Sequence, residues 1–180
     1  TNASNGLTAT GIIAKSLETN VALIGPISIT GTQTYSNNLK LETAGTNNIS
    51  VGVVNTTTGD IVLLTDQGSL NVGALTASAT NINLTHGGTL TFSGDIFAGN
   101  TLVVNSTNGS AIIVGTGTDI IMRALAGGIS LTGPVTLVNN LNATAGAGAI
   151  VFNSTINSNS LLAPRDLALS LTTAFPVTFG

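Results

Sequence analysis

The feature that most constrains this chain is an apolar–any–apolar triplet that returns about every twenty residues along its length. One series begins at Leu7, Ile27, Ile49, Leu70, Leu90, Ile112, Ile129 and Ile150, with steps of 20, 22, 21, 20, 22, 17 and 21 residues. A second begins at Val21, Leu39, Ile61, Ile82, Leu102, Ile120 and Leu141, with steps of 18, 22, 21, 20, 18 and 21. Apolar residues two apart mark strands with one buried face. A period of this length marks stacked units, none of which buries its apolar face alone. A weaker third triplet lies between the series, best seen at Leu75–Ala77, Ile96–Ala98 and Val135–Leu137. It is missing between Val114 and Ile120, where the coil is short. Three strands and three corners in about twenty residues predict an all-β, three-sided parallel β-solenoid. Residues 1–180 then form a single segment of about eight coils, cut from a longer repeat array.

The punctuation repeats with the strands. Glycine turns precede the first series at Gly25, Gly68, Gly88, Gly127 and Gly148, and they predict corners with positive φ. Asn20, Asn38, Asp60, Asn81, Asp119 and Asn140 stand immediately before members of the second series. These predict a corner ladder, with left-handed backbone and side chains hydrogen-bonded from coil to coil. Residues 25–51 also match residues 127–152 with one deletion, as duplication of whole coils would leave them. At the C-terminus Asp166–Leu169 reads as second series and Val177–Phe179 as first, with residues 158–164 inserted in the last coil.

Composition narrows function. Charged residues make up 6% of the chain, against about 25% in ordinary soluble domains. Lys15, Lys40, Arg123 and Arg165 are scattered, with no basic run to neutralise phosphates, which argues against nucleic-acid binding. Uncharged stretches are broken every few residues by Gly, Asn, Ser or Pro, which argues against a membrane-spanning helix. The chain contains no Cys and starts at Thr1 without a signal-like apolar run, as a mature or excised piece would.

Phrases such as GGISLTGPVTLVNNLNATAGAGAIVF and GGTLTFSGDIFAGNTLVVNS resemble the repeat regions of filamentous-haemagglutinin-type adhesins, large surface proteins of Gram-negative bacteria. The resemblance covers nearly the whole chain and is one of repeat grammar. It implies a right-handed parallel β-helix, export through an outer-membrane partner, and a secreted, extracellular or cell-surface role in adhesion or surface structure.

Enzymatic readings find little support. The acids Glu18, Glu42, Asp60, Asp66, Asp95, Asp119 and Asp166 are dispersed, and polysaccharide-degrading sites need clustered carboxylates. His86 sits in a Thr-His-Gly-Gly turn and reads as a solvated turn residue. The turn from Gly115 to Asp119 is a solitary copy of a calcium-binding repeat and lacks half its ligands. No cofactor or metal is expected. Asn-x-Ser/Thr sequons occur at Asn2, Asn48, Asn55, Asn83, Asn105, Asn108, Asn142 and Asn153. The Thr-x-Thr pairs at Thr32, Thr89 and Thr116 fall at different coil positions, which argues against an ice-binding array.

The expected role is a stiff structural rod in a fibre, sheath or adhesin that self-associates with neighbouring chains. The alternative is a module binding a glycan or receptor, for which Tyr35, Phe97 and Phe175 are the exposed-aromatic candidates. Val103 and Ile121 are expected to form one apolar patch on the side wall, with Ile113 nearby on another face, for lateral packing.

Overall fold

The computed structural model describes residues 6–115, 118–160 and 163–180. Within these residues, 21 strands build a parallel β-solenoid. They stack in three columns, which we term the first, second and third faces. First-face strands follow Leu7, Ile27, Ile49, Leu70, Leu90, Ile112, Val135 and Ile156 in mutual register. The third face is an 8-stranded sheet from Leu17–Glu18 to Val177–Phe179. The first and second faces merge into a 13-stranded sheet. They merge because Leu7–Ala14, Ile27–Tyr35 and Ile49–Thr56 run around the edge without a break. That edge needs glycine for two reasons. Gly31, with φ 74°, supplies a left-handed kink where the register shifts between Ile29 and Thr32. Two coils further on, a Cβ built on Gly73 would lie 2.7 Å from the Gly52 carbonyl oxygen, so the edges can approach only without side chains.

The interior is aliphatic, and alternation decides which residues enter it. The inward positions of the first series from Ile27 to Phe152 are all buried. They do not lie on one sheet, however. Ile129 and Ile150 stack on the third face, where Ile129 pairs with Leu102 rather than with Ile112. Ile112 pairs instead with Val135. In the same way Ile120–Ala124 and Leu141–Ala145 leave the column of Leu102–Ser106 and join the second face.

The missing triplet explains the exchange. The repeating unit is two three-residue strands joined by a kink, then one five-residue strand, as in Leu70–Val72, Leu75–Ala77 and Ile82–His86. Among the described residues, the unit that starts at Ile112–Val114 has no second short strand before Ile120–Ala124. The next unit therefore starts one face early, and every later strand is advanced by a third of a turn. No side of the solenoid is left empty. The matching segments 27–43 and 129–145 thus occupy different faces of one rod. At the C-terminus the expected pairing holds: Leu167–Leu171 stacks on Leu141–Ala145 and Val177–Phe179 on Ile150–Phe152. Residues 161–162, inside the expected insertion, lie outside the described residues.

The second series starts earlier in the first coil than its triplets suggest. Leu17–Glu18, not Val21, stacks below Leu39–Lys40, and Val21 is exposed.

Candidate functional site

The corners carry the most regular polar chemistry. A corner residue lies outside the strand ladder, so its N–H needs an acceptor from elsewhere. Asn38 Oδ1 accepts the N–H of Asp60 at 3.1 Å, and Asp60 Oδ1 accepts that of Asn81 at 2.9 Å. Asn81 Oδ1 then accepts the Thr101 N–H at 3.3 Å and its hydroxyl at 2.8 Å. Each side chain thus serves the next coil up. A second column repeats the device: Asp119 Oδ1 accepts from Asn140 N at 3.2 Å, and Asn140 Oδ1 from Asp166 N at 2.9 Å.

The expected corner ladder is therefore real but divided. Asn38, Asp60 and Asn81 stand at the edge between the second and third faces. Asp119 and Asn140 stand one edge away, because the strands they precede have changed face. Asn20 belongs to neither column; Glu18 contacts the ladder instead, accepting from Asn38 Nδ2 at 3.1 Å. Among the described residues no non-glycine residue has positive φ. Asn and Asp are thus placed for their side-chain oxygen, not for left-handed backbone. The glycine corners are also corrected: none of Gly25, Gly68, Gly88, Gly127 and Gly148 has positive φ. A Cβ on Gly88 would lie 2.8 Å from Gly68, so close approach of stacked corners is what selects glycine there.

The side wall does not bring its candidates together. Val103 lies on the third face between Asn83 and Ser130, and Ile121 on the second beside Asn142. Ile113 lies on the first, between Thr91 and Thr136. The expected apolar patch of Val103 and Ile121 does not form, since the face exchange falls between them. Phe97 and Arg123, by contrast, are register partners on the second face, with exposed Leu125 beside them in a shallow groove.

Two side chains expected at the surface are buried. Tyr35 is fully enclosed; its hydroxyl donates to Gln33 Oε1 at 3.2 Å, and burial pushes its pKa up to about 12. Gln33 Nε2 in turn donates to Ile29 O at 3.2 Å, so this polar pair is internally satisfied. His86 is not solvated. It ends the strand Ile82–His86 with no exposed surface, and burial holds its imidazole below the ordinary histidine value. Neither burial was legible beforehand, since both positions continue an inward alternation that polar residue types disguise.

One open groove, of about 490 Å³, has Glu42, Leu64, Asp66 and Thr85 among its lining residues. Among the described residues no three of His, Cys, Asp and Glu converge as metal ligands. The calcium-like turn is only partly described, since residues 116–117 lie outside the described residues, as does the sequon at Asn2. Among the described residues no helix is long and apolar enough to cross a membrane. Comparison with protein-family models, curated proteins and solved structures found no match to the chain.

Proposed function

We propose that the chain is a structural segment of a secreted cell-surface fibre, sheath or adhesin, a stiff rod that grows by coil-on-coil stacking. The repeat grammar it shares with filamentous-haemagglutinin-type adhesins supports this reading. The observation that carries it is the state of the terminal coils. The inward columns continue into the terminal described coils, where their side chains are less buried than in the middle of the stack. Val177 and Phe179 are 36% and 58% exposed, whereas their partners Ile150 and Phe152 are 0% exposed. Phe179 stacks on Phe152 at a centroid distance of 5.6 Å, and its other face adds to the exposed apolar surface of this coil. Leu167, Leu169 and Leu171 at that end, and Leu7, Ala9, Ile12 and Leu17 at the other, are half-buried. A strand edge that no neighbour covers templates further strands.

A coil added at either end, from the same chain or a neighbouring one, buries this cross-section and lengthens the rod by about 4.8 Å. With so few charges, such stacking depends little on salt. A second reading, binding of a glycan or receptor along the wall, has the Phe97 and Arg123 pair in its favour. An aromatic face beside a cation suits a sugar or an acidic partner. Sedimentation and small-angle scattering test the main proposal. The expected result is elongated species of constant cross-section that lengthen with protein concentration, with little change between about 0.05 and 1 M salt. A monomer at every concentration overturns the self-stacking.

A further inference from the structure

Inside the third face, the strand-end residues Thr43, Thr65, His86 and Ser106 form one buried polar column. Three of them close the following corner alike. Thr43 Oγ1 donates to Asn47 O at 2.8 Å, and Thr65 Oγ1 to Gly68 O at 2.7 Å. His86 Nδ1 bonds Gly88 O at 2.6 Å. A carbonyl only accepts, so Nδ1 carries the proton and Nε2 is the bare nitrogen of a neutral ring. Ser106 precedes a wider corner, which turns at Gly109 with φ 66°, and its hydroxyl does not close it. His86 Nε2 and Ser106 Oγ are both buried without a partner, on residues that are register neighbours in successive coils. From above, Gly133 closes over Ser106, for a Cβ there would lie 2.7 Å from the Ser106 Cβ.

We propose that Ser106 Oγ–H donates to His86 Nε2, and that this buried pair is a latch, released by acid, between the coils of Ile82–His86 and Leu102–Ser106. Two unpaired buried polar atoms are costly, whereas one bond between them satisfies both. Protonation of Nε2 removes the acceptor and places a cation in an aliphatic interior. No counter-charge waits there. The flanking strands Ile61–Thr65 and Leu102–Ser106 carry no ionisable side chain, nor do Leu70–Val72, Leu75–Ala77, Leu90–Phe92 and Ile96–Ala98 across the core. The nearest carboxylates along the chain, Asp60, Asp66 and Asp95, stand at corners; Asp66 is exposed, while Asp60 and Asp95 accept backbone N–H groups of other coils.

Burial lowers the folded-state pKa of His86, and the bond to Gly88 offsets this in part. The opened state takes up a proton below about pH 6.5 while the closed state resists it. The latch therefore holds fully above that pH and weakens as pH falls through it. For one proton, each pH unit in this window shifts the opening equilibrium about tenfold.

Amide hydrogen exchange of the full chain at pH 7.5 and 5.5, corrected for intrinsic rates, tests this. Protection of Ile82–His86 and Leu102–Ser106 is expected to fall about tenfold at the lower pH, with a smaller change in the coils near Leu141–Ala145. His86→Thr, which restores the residue type of Thr43 and Thr65, should abolish the acid loss. Ser106→Ala should lower protection of the same strands at pH 7.5. An equal acid loss in His86→Thr overturns the proposal. So does an imidazole nitrogen spectrum of the unmodified chain showing the proton on Nε2 at pH 7.5, a readout that needs no variant to fold.

Discussion

The exchange of faces after Ile112 predicts which engineered cysteines meet. The chain has no Cys, so any disulfide in a double variant reports only the introduced pair. Val103 and Ser130 are register partners on the third face and both point outward. Adjacent strands stand about 4.8 Å apart, inside the Cα separation of roughly 4.4–6.8 Å that a disulfide spans. Val103→Cys with Ser130→Cys should therefore oxidise readily. The bridge closes a loop of 27 residues (130 minus 103). Chain entropy alone then gives a stabilisation of about 3.5 kcal/mol, an upper figure because strain subtracts from it. The competing pair is Ile113→Cys with Ser130→Cys, which an unbroken first series with its 17-residue step would place in register. In the structure Ile113 pairs with Thr136 on another face, so this pair should stay reduced. Mass spectrometry of the oxidised proteins and thermal melts with and without reductant give the answer. A 113–130 bridge that forms in preference to 103–130 refutes the exchange.

Two further outcomes follow from the stack. Leu90 is fully buried between Leu70 and Ile112. Its replacement by Ala should cost about 2–5 kcal/mol in denaturant unfolding, and Leu90→Asp should unfold the central coils, because an unpaired carboxylate has no partner there. Asn81→Ala removes the acceptor of Thr101 N, Thr101 Oγ1 and Asn100 Nδ2 and should cost about 1–3 kcal/mol. Asp60→Asn keeps the oxygen that serves Asn81 and should stay within about 0.5 kcal/mol of the unaltered chain. Equal losses in these two variants, measured by the same unfolding assay, refute the account of the corner column.

Local pattern was enough for the strands and for their inward residues. Alternation with period two specifies which side chain faces the core whatever the strand later packs against, so Ile27, Leu90 and Ile150 were legible as buried. The corner acceptors were legible for a similar reason: a short side chain with an oxygen must sit wherever a coil leaves its strand. Their left-handed backbone was not, because the same residue types serve either purpose, and only the coil above shows that the oxygen is what is used. Position on the rod was the part that stacking decided. The three inner walls are all lined by Ile, Leu and Val, so nothing in a triplet such as Ile129–Leu131 names its face. What names it is the number of strands that precede it in the stack. One short strand missing after Val114 moves every later residue by a third of a turn, separates Val103 from Ile121, and divides the corner ladder between two edges. Stacking likewise put His86 inside, since its register partner Ser106 is buried, as is Thr65 at the end of the strand below, and the column continues through it.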